Sequence, residues 1–181
     1  MNAASDSAEA PASPSTDESR FLAFLAGQQR TLYKVAYIYC ADQEERRDLI
    51  QEMAAQLWRA FPSFDGRAAP ATWTYRVATN VAISYRRRAR RRLRETAPLD
   101  LAFDVADETF APDTEQARRL RALIETLDEM NRALVLFYLE GFDHAEIAAL
   151  LGTSPSNIGT RLNRIKAKLQ AELAPTKDKP R

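Results

Sequence analysis

The chain predicts an all-α fold of two small helical domains joined by an acidic, flexible linker, and three observations carry that expectation. Its apolar residues recur at helical rather than alternating spacing. Capping and stop residues bound stretches of helical length. Charge is segregated: Arg86, Arg87, Arg88, Arg90, Arg91, Arg92 and Arg94 fall within nine residues, whereas residues 95–115 carry seven acids and no Lys or Arg. The formal net charge of +1 therefore hides a basic patch beside an acidic strap. The expected organisation is a disordered tail over 1–19, a first helical domain over 20–95, the linker over 96–112, a second helical domain over 113–173 and a tail over 174–181.

Composition narrows the function classes. With 181 residues and 45% apolar content the chain can bury one or two modest cores. A single cysteine and a single histidine rule out a disulfide framework or a Cys/His zinc site built from this chain alone. No cofactor or metal is expected, and no cluster of catalytic groups stands at a pocket-forming spacing, which argues against an enzyme. No apolar run is long enough to span a bilayer and the N-terminus lacks the basic-then-apolar order of a signal peptide, so the expected setting is cytoplasmic, without membrane insertion. Cys40 reads as a small core residue and His144 as a surface or groove-edge residue.

In chain order, residues 1–19 are too polar to offset the entropy of ordering them. Phe21, Leu25, Leu32, Val35, Ala36 and Tyr39 make one helical stripe. Asp42 with Glu45 repeats the capping-box pattern, and Leu49, Ile50, Met53, Leu57 and Trp58 give the next helix its apolar face. That helix ends near Phe61-Pro62, because the residue before proline is disfavoured in helical geometry. Pro, Asp-Gly and Pro punctuation makes 62–70 a loop. The following helix has a seam at Trp73, Val77 and Val81, with Tyr75, Arg76, Asn80, Ser84, Arg87 and Arg88 placed away from it. Aromatics interleaved with Arg and Asn suit a surface that stacks on unpaired bases; the competing reading makes the aromatics core and the arginines a solvated run. Beyond the linker, Asp113 and Gln116 cap a helix with Leu120, Leu123, Ile124 and Leu127 on its face, and another runs from about Met130 to Glu140.

Residues 143–168 carry the most specific pattern, two short helices across a tight turn. Asp143 and Glu146 form a capping box, Gly152 stands at a helix end, and Ser154-Pro155 supplies a cap and a first-turn residue. Ile158, Leu162, Ile165 and Leu169 form the buried stripe of the second helix. At about 100° per residue, Ser156, Thr160 and Asn163 lie opposite that stripe and Asn157, Arg161, Arg164 and Lys168 lie along one flank. Small polar groups reaching base edges, with cations on phosphates, describe a recognition helix in a major groove. A solvated amphipathic helix is the alternative.

With these pieces in place, DLIQEMAAQLWRAFPSFDGRAAPATWTYRVATNVAISYRRR and LDEMNRALVLFYLEGFDHAEIAALLGTSPSNIGTRLNRIKAKL together resemble the extracytoplasmic-function type of bacterial RNA polymerase sigma factor, over about residues 21–173. The resemblance implies a factor that binds core RNA polymerase, delivers it to chosen promoters and helps open the duplex. It implies that Asp48, Gln51, Glu52 and Trp58 meet the clamp helices of the largest polymerase subunit, and that a flap of the second-largest subunit is a further contact. Phe64 and Trp73, with the helix to Arg88, would read the −10 element, and residues 154–168 the −35 element. An anti-sigma factor is an implied partner. Gly159 departs from the family pattern, where Lys or Arg is common, and Asp128 stands where proline is frequent. A stand-alone helix-turn-helix regulator of duplex DNA is the other function considered. The opposed charge blocks also predict that the linker folds onto the arginine run in the free protein.

Overall fold

A computed structural model of the chain describes residues 16–92 and 114–173. The linker and its expected fold-back, residues 1–15 of the first tail and the whole of the second lie outside the described residues. Among those described, the elements are α1 (Thr16–Tyr39), α2 (Gln43–Ala60), a 3-10 turn (Phe61–Ser63), α3 (Pro70–Arg92), α4 (Glu115–Glu125), α5 (Glu129–Leu139), α6 (His144–Leu151) and α7 (Pro155–Leu173).

Helix α1 begins inside the stretch assigned to the tail. Asp17 and Glu18 occupy its first turn, where carboxylates face the positive end of the helix dipole. Its buried residues include the whole expected stripe, Phe21, Leu25, Leu32, Val35, Ala36 and Tyr39. Helix α2 starts where Asp42 accepts from the backbone N–H groups of Glu44 and Glu45 at 2.9 and 3.0 Å. The Glu45 N–H bond is the main reason the Asp42 carboxyl is held below its ordinary range. The side chain of Glu45 lies instead 3.7 Å from Arg86 of α3. Leu49, Ile50, Met53, Ala54 and Leu57 line the buried face of α2, and α1, α2 and α3 pack as a three-helix bundle.

The second bundle is set by its caps. Asp128, standing where the family favours proline, N-caps α5 by accepting from Asn131 N–H at 2.8 Å. Between α5 and α6 the chain turns so that Phe142 N–H reaches the Phe137 carbonyl at 3.1 Å. Asp143 and Glu146 form the expected capping box of α6. Gly152 closes α6 in the left-handed region at φ 66°, a conformation that costs other residues a Cβ clash. Ser154 Oγ then accepts from Asn157 N–H at 3.3 Å to open α7. Ile158, Leu162 and Ile165 are buried as the spacing predicts, with Leu169 half-buried beside them.

The two bundles share one core rather than hanging separately on the linker. The last carbonyls of α1 are satisfied from the C-terminal half. Arg132 donates to Tyr39 O at 3.2 Å and to Leu127 O at 3.1 Å. Arg121 donates to Ala41 O at 2.7 Å and stacks over the Tyr37 ring, 4.4 Å from its centroid. Guanidinium groups suit a helix C-terminus because that end carries the negative pole of the dipole. In return, the Tyr39 hydroxyl donates to Glu129 O at 2.8 Å, and Lys34 pairs with Glu140 at 2.5 Å. Cys40 is buried at this junction as a core residue, and burial pushes its thiol up to about 11.

Candidate nucleic-acid interface

Helix α3 presents a polar stripe on the side turned away from the C-terminal bundle. Arg76, Asn80, Ser84 and Arg87 are exposed, and Trp73, Val77 and Arg88 are half-buried. At about 100° per residue all seven fall within about a third of the helix circumference. All of them but Arg87 border an open groove of about 820 Å³ whose other wall comes from α2 and the loop, with Glu52, Gln56, Asp65 and Arg67. An aromatic cluster holds the loop against the helix. The Phe64 ring lies 4.9 Å from Trp73, 5.5 Å from Phe24 and 6.4 Å from Phe61, and Phe24 meets Trp73 edge-on at 5.6 Å. Such pairs each add a few tenths to about 1.5 kcal/mol beyond their buried area, so a loop rich in turn residues has a fixed base.

Tyr75 does not belong to this stripe. It is 4% exposed and sits on the reverse of α3, edge-on to Phe137 at 5.9 Å and to Phe142 at 5.6 Å. Burial, and then a hydrogen bond to Glu140, push its phenol far above the ordinary tyrosine range. The spacing of Trp73, Val77 and Val81 predicts a seam there, which puts Tyr75 on the nucleic-acid side. The buried set keeps Val81 but adds Thr74, Tyr75, Ala78, Thr79, Ala82 and Ile83, and the small Thr and Ala residues among them allow close helix approach but give little hydrophobic signal.

Of the residues assigned to polymerase docking, Asp48 is exposed and Gln51 half-buried. Trp58, expected on the apolar face of α2, is 43% exposed, with its ring resting on Phe21 at 4.9 Å. Glu52 forms an ion pair with Arg88, so a residue assigned to polymerase and one assigned to DNA neutralise each other across the α2–α3 groove.

On α7 the outward set is open. Ser156, Asn157, Thr160, Asn163, Arg164 and Lys168 are exposed, and Arg161 is half-buried. Three of them already hold local partners. Asn157 Nδ2 donates to Thr153 Oγ1 at 2.8 Å, Thr160 Oγ1 to Ser156 O at 3.0 Å, and Lys168 Nζ to Thr126 Oγ1 at 3.0 Å. Lys166, absent from the sequence-derived set, is exposed on the opposite flank and donates to the Tyr138 hydroxyl at 2.8 Å. Its position one step from the buried stripe kept it out of the outward face. Among the described residues no group of His, Cys, Asp and Glu could hold a metal, and no helix is long and apolar enough to cross a membrane.

The described residues thus form a three-helix bundle with an aromatic-based groove, joined to a four-helix unit ending in a helix-turn-helix. Sigma-70 region 2 matches residues 25–92, and Sigma-70, region 4 matches residues 117–169. The chain is 30% identical over 140 residues to ECF RNA polymerase sigma factor SigM of Mycobacterium tuberculosis, covering 77% of this chain and 70% of SigM. It is 28% identical over 143 residues to ECF RNA polymerase sigma factor SigX of Bacillus subtilis, covering 74% and 73%. Two solved structures share the fold at a TM-score of 0.60. One is CnrH in complex with the cytosolic domain of CnrY, at 23% identity over 86% of this chain and 88% of that one. The other is the sigma factor RpoE in complex with the anti-sigma factor NepR from Bartonella quintana, at 18% identity over 89% and 97%. The chain belongs to the ECF RNA polymerase sigma factors. As such it binds core RNA polymerase, directs it to specific promoters and assists promoter opening, and the stand-alone regulator reading is set aside.

Proposed function

We propose that the two polar helix faces divide promoter recognition between them. The α3 stripe of Trp73, Arg76, Asn80, Ser84, Arg87 and Arg88, with Phe64 at its base, takes the separated strand of the −10 element. The α7 face of Ser156, Asn157, Thr160, Asn163, Arg161, Arg164 and Lys168 enters the duplex major groove at −35. The observation that carries this reading is the groove along α3. It is lined by Arg67, Arg76, Arg88, Gln56 and Asn80 together with the carboxylates Glu52 and Asp65, is rooted in an aromatic cluster, and lies opposite the face that packs on α5. Unstacking a base costs a few kcal/mol, and aromatic stacking with backbone contacts offsets it, so the work is done by binding and no covalent step is required of the chain.

Exposed Asp48 and Trp58, with half-buried Gln51 between them, form the edge of α2 suited to the clamp helices of the largest polymerase subunit, and the flap of the second-largest subunit is the partner assigned to the C-terminal unit. Of the two solved structures, one holds the cytosolic domain of CnrY and the other the anti-sigma factor NepR, which supports an anti-sigma partner for this chain and a cytoplasmic setting. The test is promoter binding by the polymerase complex of Arg161→Ala and Arg164→Ala. Each weakens binding and lowers the salt slope by about one; unchanged affinity and slope in both would remove α7 as the −35 reader.

A further inference from the structure

Gly159 interrupts the side-chain surface of the recognition helix. It lies on α7 between buried Ile158 and exposed Thr160, at the edge of the outward face. Ser156 and Asn163 follow about 40–60° further round. A glycine at a helix interior is unfavourable by up to about 1 kcal/mol relative to alanine, so some other use of the bare backbone is implied. The space that a side chain here would enter is bordered by the imidazole of His144: a Cβ built at Gly159 would stand 3.7 Å from both its Cε1 and its Nδ1. His144 is the first residue of α6, fixed there by the Asp143–Glu146 capping box. Its ring is exposed, and among the described residues no hydrogen bond engages it.

We infer that His144 is part of the DNA-reading surface, with the first helix of the motif supplying, through the gap left by Gly159, the polar contact that the recognition helix lacks at this point. An imidazole offers a donor and an acceptor on its two ring nitrogens, and so suits either a phosphate oxygen or a base edge. The first helix of such motifs crosses the sugar–phosphate backbone while the second lies in the groove, which places a residue at the junction of the two against the duplex. The inference rests on the proposed −35 role of α7.

The experiment measures affinity of the polymerase complex for a duplex promoter fragment that the wild-type chain selects from its own genome. His144→Ala loses roughly fivefold to tenfold in affinity, keeps the wild-type melting temperature, and binds a premelted −10 template without upstream duplex as the wild type does. Gly159→Leu, which drives a branched side chain into the ring's place, produces the same loss, and the double variant loses no more than either single one. Gly159→Ala keeps wild-type affinity, because its Cβ makes only ordinary van der Waals contact with the ring. If Arg164→Ala loses affinity while His144→Ala does not, the inference is overturned and the −35 reading stands. If neither loses affinity, both fall together.

Discussion

Helices α3 and α7 carry the same kind of sequence signal, an apolar stripe backed by polar and basic residues, yet only α7 wears it as the spacing predicts. Helix α7 lies at the edge of its bundle, so one stripe of large aliphatic residues, Ile158, Leu162 and Ile165, is buried and the reverse is exposed. Helix α3 lies between α1 and α2 on one side and α5 with Phe142 on the other. It therefore buries two adjoining faces, built largely of Thr74, Ala78, Thr79 and Ala82 with Tyr75 among them. A helix packed along one face displays its orientation in hydrophobic spacing. A helix buried on two adjoining faces is oriented by small residues that allow backbones to approach, and hydrophobicity alone then points to the wrong seam.

The largest expected effect breaks the clasp itself. Phe137→Ala removes a fully buried ring that meets both Tyr75 and Phe142 and is expected to lower unfolding stability by about 3–5 kcal/mol in chemical denaturation. A loss below about 1 kcal/mol would mean that the two bundles do not share this core. A sharper and smaller effect separates the faces of α3. Tyr75→Phe loses the hydroxyl that bonds Glu140 and destabilises by about 1 kcal/mol, while promoter opening by the polymerase complex stays at the wild-type rate. Arg76→Ala or Asn80→Ala does the reverse, slowing opening with stability changed by no more than about 0.5 kcal/mol. The converse pattern would return Tyr75 to the nucleic-acid side.

The smallest effect is read by alkaline titration of the junction. Burial raises the Cys40 thiol from 9.0 to about 11, so the fold favours the neutral form. Its contribution is intact below pH 9, then lost as pH rises toward about 11. Melting temperature should fall less steeply across that window in Cys40→Ala than in the wild type. Parallel curves would show that the thiol does not ionise differently on unfolding.

Sequence patterning was most informative where local chemistry decides the structure. The capping box of α6, the left-handed Gly152, the Ser154 cap and the α7 stripe depend on residues within a few positions of one another. The burial of Cys40 followed from its apolar neighbours in the same way. What escaped depends on partners far away in the chain. Tyr75 is turned inward by Phe137 and Phe142, Glu52 is claimed by Arg88, and Arg132 is buried because its donors meet the carbonyls of Tyr39 and Leu127. No spacing rule within one helix encodes those pairings. The start of α1 at Thr16 was hidden for a different reason: its first turn is polar, stabilised by Asp17 and Glu18 at the helix dipole rather than by apolar burial.

Run-off transcription on paired templates, closed duplex against premelted −10, tests the division of labour between α3 and α7 most directly. With core polymerase and the wild-type chain, transcripts start at the same point on both templates. Combining Arg76→Ala with Asn80→Ala is predicted to abolish transcription from the closed duplex and to leave much of it on the premelted one. Arg161→Ala with Arg164→Ala is predicted to weaken every template that depends on upstream duplex. Wild-type transcription from closed duplex by the α3 double variant would contradict the account.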